Sequence, residues 1–273
     1  MIRSTIRKFI KEKFYFRYLN RRGFFCYFGE TVFFSKGSLS FKDVMRNGVY
    51  ERDNIGFVQG NIIDGSTYLD IGGNIGLMSI PILKQFKSTK VVSIEASPNT
   101  FGYLKRTWEG SSVKDRWHLI NCPISDTEGD QIDFYTSDSK NHAYESMRNT
   151  SRINFTKVIK LTTTTIDKIW IDLGKPDVSF IKSDIEGADL LALRGGKKCI
   201  EVCSPTILLE WNQQNIKPFG FKNKDLLLLC AEIGYRCYSL PHLTLISLPN
   251  ELFQNSLLTE SFLLLPERSN KEI

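Results

Sequence analysis

The string Phe180-Ile181-Lys182-Ser183-Asp184-Ile185-Glu186-Gly187 sets a lysine and two carboxylates at alternate positions. In an extended chain, side chains at i, i+2 and i+4 share one face, so the three charges would project together. Charges on one face of a core strand are costly when buried without a use. One use is structural, an ion pair of Lys182 with Asp184 or Glu186. The other is chemical: a carboxylate at a crevice takes a proton from a reacting group as general base. Asp184 is the candidate base or acceptor-orienting residue, Glu186 supports it, and Lys182 tunes or orients the pair. Gly187 permits a sharp entry into a following helix.

A second chemical stretch is Leu69-Asp70-Ile71-Gly72-Gly73-Asn74-Ile75-Gly76. Gly72, Gly73 and Gly76 allow a tight turn and a close approach of backbone to a ligand. Asn74 is the best non-glycine occupant of a left-handed position, and Asp70 sits where a strand-end carboxylate can reach a ligand. A loop that cradles a pyrophosphate on a helix N-terminus is ill served by an acid entering the site. S-adenosylmethionine has no phosphate, and its sulfonium and α-amino groups tolerate or prefer carboxylates. The loop therefore favours that cofactor over NAD. Glu95 follows, with Ala96-Ser97-Pro98 after it. Rossmann-type sites place an acid about 20 residues past the first to accept ribose hydroxyls. The structural alternatives are a ligand-free βα turn and an exposed strand-end glutamate.

These groups need strands to carry them. Short apolar runs at Tyr68–Ile71, Lys90–Glu95, Trp117–Asn121, Val178–Lys182 and Thr206–Glu210 alternate with helical stretches through Phe86, over Asn99–Glu109, Ala188–Ile200 and Lys222–Ile233. Tyr235–Leu240 and Ser261–Leu265 read as the last two strands, and Ile132–Tyr135 with Val158–Leu161 as an added pair around a polar loop. The alternation predicts a mostly parallel sheet covered by helices on both faces. Ligands bind such sheets at the carboxyl ends of the strands. Before Thr67, Phe24–Phe28 and Thr31–Phe34 read as a hairpin, and Phe41–Tyr50 as a helix. Residues 1–66 are expected to form a basic helix with a small β/α extension, and 67–273 the ligand-binding domain.

The chain has 273 residues and a net charge of +6. Residues 1–22 carry +7, through Arg3, Arg7, Lys8, Lys11, Lys13, Arg17, Arg21 and Arg22 against Glu12, interleaved with Phe9, Phe14, Tyr15, Phe16 and Tyr18, which leaves about −1 for the rest of the chain. This segment suits peripheral contact with an anionic membrane surface, an oligomer arm, a substrate lid, or a helix packed on the domain. Nucleic acid is disfavoured, because no second basic patch accompanies it. Charges in the first residues break up any signal-peptide core, and no apolar run approaches the ~20 residues that span a bilayer. The six cysteines contain no C-x-x-C pair, which fits reduced thiols and a cytoplasmic location, peripheral at the inner membrane face if the basic segment binds there.

The strings YLDIGGNIG, VVSIEASP and FIKSDIEGADLLALRGG, in this order and spacing, resemble the FkbM family of S-adenosylmethionine-dependent methyltransferases. The resemblance runs from roughly Tyr50 to Leu265, and the K-x-D-x-E-G string is its most specific part. It implies a Rossmann-like class I methyltransferase fold, here an α/β protein with a mostly parallel seven-stranded sheet. It also implies that Asn121-Cys122-Pro123-Ile124-Ser125-Asp126 lies near the adenine, with Ser125 and Asp126 as cofactor contacts, and that Glu210 is the family's acid after the fifth core strand. Gly73, Ser183 and Asp189 depart from the family's usual alanine, aliphatic residue and glutamate. The implied activity is O-methylation of a sugar, polysaccharide or related secondary-metabolite hydroxyl. A divalent metal held by Asp184 and a neighbouring acid is left open, as is the oligomeric state. His142 is a second candidate base. The alternatives are an NAD-dependent oxidoreductase, a nucleic-acid methyltransferase and a non-catalytic Rossmann-like binding protein. The first lacks a Tyr-x-x-x-Lys or histidine hydride site, and the second lacks an Asn/Asp-Pro-Pro-Tyr motif.

Overall fold

The apolar strands of the chain alternate their side chains between two cores. The computed structural model describes residues 16–137 and 144–267. Strands β3 (Thr67–Ile71), β4 (Lys90–Ile94), β5 (Trp117–Ile120), β8 (Val178–Ser183) and β9 (Thr206–Glu210) pair in parallel. Leu69, Ile71, Ile181, Ile207 and Leu209 face one core, and Tyr68, Phe180 and Leu208 face the other. Strands buried on both faces lose their polar alternation, which is why they read as continuous apolar runs.

Among the described residues the sheet has eight strands, in the order β11-β10-β12-β9-β8-β3-β4-β5. Strand β12 (Ser261–Pro266) runs antiparallel between β9 and β10 (Tyr235–Ser239). The eighth strand, beyond the seven expected, is the three-residue β11 (Thr244–Ile246), a hairpin addition on β10. Three residues are too few to print a period of two. Helices α5 (Ile166–Asp172), α6 (Asp189–Arg194), α7 (Lys197–Cys203), α9 (Asn223–Ile233) and α10 (Pro249–Ser256) contribute to the first core. The short α8 (Gln213–Ile216) lies between β9 and α9. The helix expected over Ala188–Ile200 is thus two helices. The chain breaks at Gly195, where a Cβ would stand 2.2 Å from the Ser125 carbonyl oxygen.

The second core is built by α3 (Ser79–Gln85), α4 (Pro98–Glu109) and the N-terminal segment. Residues 16–22 are helical; residues 1–15, the larger part of the basic segment, lie outside the described residues. Strands β1 (Phe24–Tyr27) and β2 (Glu30–Phe33) form the expected antiparallel hairpin. Phe34 stacks on Phe41 with ring centroids 4.1 Å apart. Phe41 belongs to α1 (Leu39–Asn47), whose first turn is capped by Ser38 Oγ accepting from the Phe41 N–H. A further helix, α2 (Arg52–Asn61), carries no clear apolar stripe in sequence but buries Ile55 and Val58. Residues 19–62 therefore share one hydrophobic core with Tyr68 and Phe180 of the sheet. The pair β6 (Gln131–Thr136) and β7 (Lys157–Thr162) stands apart as its own two-stranded sheet. No helix among the described residues is long and apolar enough to cross a membrane.

Candidate active site

The carboxyl ends of β3, β4, β8 and β9 open onto one cavity of about 270 Å³, roofed by residues 144–152 of the β6–β7 connection and walled on one side by Tyr50 and Glu51. The loop after β3 is folded against the sheet by the N–H groups of Gly72 and Gly73, which donate to the Ile94 carbonyl at 2.8 and 3.0 Å. Gly72 has φ +81°, and a Cβ there would stand 1.9 Å from the Asp184 carbonyl oxygen. Only glycine lets this loop touch the end of β8. Asn74 takes the left-handed position, at φ +49°. Gly72, Gly73 and Asn74 line the cavity. Gly76 does not: it serves the packing of the Trp117 ring, 2.6 Å from where its Cβ would lie.

Glu95, at the end of β4, is gripped by backbone. Its Oε2 accepts from the Asn74 N–H and its Oε1 from the Ser97 N–H, both at 2.9 Å. Burial pushes its carboxyl up to about 7 against the lowering effect of those two donors. Ala96 lines the cavity beside it.

Besides Gly76, three residues expected at the cofactor do not line the cavity. Asp70 is fully buried beneath the loop and is absent from the cavity wall. Its Oδ2 accepts from Ser79 Oγ at 2.5 Å, and its Oδ1 is buried without a hydrogen-bond partner. It pairs in register with Lys182 across β3 and β8, so its charge acts through the floor of the site. Ser125 and Asp126 also miss the cavity, whose wall uses Cys122, Pro123 and Ile124. After Ile124 the chain bridges to Thr164 and turns away, leaving Ser125 buried and Asp126 exposed. His142 lies outside the described residues.

Lys182, Asp184 and Glu186 do converge. Lys182 Nζ donates to Asp184 Oδ2 at 3.0 Å and lies 3.4 Å from the Gly72 carbonyl. Burial works against the lysine charge, but Asp184, Asp70 and Glu51 outweigh it and hold the ammonium above its usual range. Burial likewise raises Asp184, yet Lys182 and the hydrogen bonds around it hold this carboxyl down. Glu186 is pushed up to about 8 by burial and by the Asp184 charge. Its φ of +56° is a left-handed conformation rare outside glycine, of the kind that clusters at working sites. Glu210 completes a trio: Asp184, Glu186 and Glu210 each offer an oxygen within 4.8 Å of the others, a spacing open to a cation. The departures at Ser183 and Asp189 meet each other. Ser183 Oγ donates to the buried Asp189 carboxylate at 2.6 Å, which also accepts from the Gly187 N–H at 3.2 Å.

Sequence reasoning missed two components. Arg152, from the β6–β7 connection, donates to Glu186 Oε2 at 2.9 Å and lies 3.7 Å from Glu210 Oε1. Glu51, at φ +39° before α2, accepts from Asn54 Nδ2 at 3.0 Å and feels the Lys182 charge. Arg152 had no signal in sequence.

Residues 70–237, more than half of the chain, match the family described as the methyltransferase FkbM domain. Methyltransferase sdnD of Sordaria araneosa is 21% identical over 184 residues, 58% of this chain and 71% of that protein. Among solved structures, methyltransferase FkbM from Methylobacillus flagellatus KT aligns with a TM-score of 0.49 at 16% identity, over 80% of this chain and 46% of that one. The chain thus spans under half the length of that protein. A SAM-dependent O-methyltransferase from Thermotoga maritima aligns at 11% identity over 85% of this chain and 72% of its own, with a TM-score of 0.43.

Proposed function

Because this chain belongs to the FkbM methyltransferase family and is an S-adenosylmethionine-dependent methyltransferase, we propose that it methylates a hydroxyl of a sugar, polysaccharide or related secondary-metabolite acceptor. The observation that carries this reading is the meeting, in one cavity, of the backbone-gripped Glu95 with the Asp184–Glu186–Glu210 trio. The first suits a diol and the second a proton acceptor.

The residues present fit the cofactor. Glu95 keeps lone pairs for the ribose hydroxyls beyond the two it spends on backbone. Gly72 to Asn74 bring backbone to the cavity edge, and Cys122 to Ile124, Phe134 and Met147 supply apolar walls for a base. When bound, the cofactor supplies an electrophilic methyl group.

The chain's own work is to hold the acceptor oxygen in line and take its proton. Lys182 keeps Asp184 ionised, so Asp184 accepts the hydroxyl hydrogen bond and fixes its direction. Glu186, at about 8, is matched to receive the proton near neutral pH. Such base catalysis is worth roughly 10²–10⁴ in rate, and alignment of donor with acceptor contributes as much or more.

Two further cavities, of about 200 and 760 Å³, adjoin the first and share Glu51 with it. Asp43, Asn47, Arg52, Asp53, Asn54 and Ser261 line the larger or the passage to it. A wall of carboxylates, amides and hydroxyls supports a polyhydroxylated acceptor entering from this side. The basic, aromatic segment 1–22 supports cytoplasmic work at an anionic membrane surface. The test is calorimetric binding of S-adenosylmethionine, followed by transfer of labelled methyl groups to a panel of glycans and hydroxylated small molecules. No cofactor binding to the folded protein would sink the proposal, and label on nitrogen rather than oxygen would reassign the acceptor.

A further inference from the structure

The acid trio already contains a cation. Arg152 Nη1 donates to Glu186 Oε2 at 2.9 Å and to Asn215 Oδ1 at 3.2 Å, and stands 3.7 Å from Glu210 Oε1. Asn215, only 1% exposed, reaches Glu210 Oε1 with its own Nδ2 at 3.3 Å. The guanidinium is covered by the Tyr144 ring, 4.3 Å from its centroid. Arg152 is thus held from four directions, and Glu186, Glu210 and Tyr144 among its partners also line the cavity.

The charges come close to balance. Lys182 neutralises Asp184 on one side of the trio, and Arg152 bridges Glu186 and Glu210 on the other. Two cations already answer three carboxylates, which leaves little negative charge for a divalent ion. Such an ion would also sit in contact distance of a guanidinium bound to two of its three ligands, where like charges in a poorly solvated site repel strongly. A planar, always-charged fork suits the bridging of two carboxylates better than an ammonium does.

We infer that Arg152 is the resident cation of the Asp184–Glu186–Glu210 cluster, that it positions the Glu186 and Glu210 carboxylates, and that it takes the place of a divalent metal in this enzyme. The claim about the site stands on geometry alone. The claim about turnover rests on the methyl-transfer reading given above.

The test is a titration of the full chain with Mn²⁺, followed by electron paramagnetic resonance of the free ion. Wild type and Arg152→Lys are expected to leave Mn²⁺ free up to about 1 mM, whereas Arg152→Ala gains one site of about tenfold or more tighter affinity. Adding Glu186→Gln to Arg152→Ala should abolish that site. Arg152→Gln, which keeps bulk and polarity, replaces the alanine variant if circular dichroism shows the latter unfolded. Submillimolar Mn²⁺ binding to wild type that Glu186→Gln removes would overturn the inference, and so would a folded Arg152→Ala or Arg152→Gln variant that gains no site. Loss of methyl transfer in EDTA, restored by a divalent ion, would overturn the turnover claim. Calorimetry with S-adenosylmethionine on the same samples separates this from failure of the methyltransferase reading, since Mn²⁺ exclusion is measured without cofactor.

Discussion

The backbone N–H of Asn74 donates to Glu95 Oε2 at 2.9 Å, so the loop leaving the first core strand holds the carboxylate that ends the second. Loop and acid form one unit, and the cofactor reading assigns the acid's remaining lone pairs to a diol. Glu95→Gln keeps the shape but loses the charge. Hydrogen bonds to charged groups are worth about 1.5–3 kcal/mol, so cofactor affinity is expected to fall by roughly ten- to a hundredfold, with a smaller loss of thermal stability because the amide has one oxygen for two backbone donors. Asp70→Ala should differ, because Asp70 acts from beneath the loop: it should cost more stability than affinity. Calorimetry and thermal unfolding on the two variants separate a ligand contact from a support.

The same acid makes stability depend on pH in an unusual direction. Glu95 and Glu186 are held at about 7 and about 8, above the ordinary 4.5. Between these values the unfolded chain releases protons that the folded chain keeps, so stability falls as pH rises. The ligand-free protein should lose on the order of 1–3 kcal/mol between about pH 5 and pH 8. Thermal unfolding across that window checks it. Glu186→Gln, which cannot ionise, should flatten the upper part of the decline.

Glu186→Gln should also cut methyl transfer by about 10²–10⁴ while leaving cofactor affinity nearly intact, because the amide cannot receive the acceptor's proton. In the wild type, activity should rise with pH toward about 8 as Glu186 ionises. The variant should lose that limb of the profile. A variant that keeps full activity, or a profile unchanged by the substitution, would remove Glu186 from the role and leave Asp184 as the base.

Much of this arrangement was legible in the residues. Leu69, Ile181 and Leu209 sit in strands buried on both faces, and such strands announce themselves by continuous apolar runs. Lys182 and Asp184 were readable because side chains two apart share a face at the end of β8, whereas Glu186 joins them through a turn in which it takes φ +56°. Arg152 was not readable: it meets Glu186 only through tertiary folding of an irregular connection, and no period links them. Glu51 was hidden for a related reason. It precedes a helix held by just two buried apolar residues, Ile55 and Val58, too few to form a stripe. Ser125 and Asp126 fall outside the cavity wall because a motif fixes order along the chain, whereas the bridge from Ile124 to Thr164 decides which residues turn toward the cavity.

The attachment of the N-terminal hairpin to the sheet domain is also testable, at one buried acid. Glu30, 4% exposed, accepts from Lys84 Nζ at 2.9 Å, from Ser112 Oγ at 2.5 Å and from the Ser112 N–H at 3.0 Å. Burial works against its charge, but Lys84 and Ser112 outweigh it and hold the carboxyl at about 2. Its contribution to stability is therefore full above the ordinary carboxylate value and is lost as pH falls from about 4.5 toward 2. At pH 7, Glu30→Gln should cost about 1–3 kcal/mol, since it leaves Lys84 and Ser112 without a charged acceptor in a closed site. For a chain of this size each kcal/mol moves the melting temperature by about 2–4 °C. The difference between variant and wild type should shrink toward pH 2. A difference that persists there would mean that packing of β1 and β2 on α4, rather than this carboxylate, fastens the hairpin.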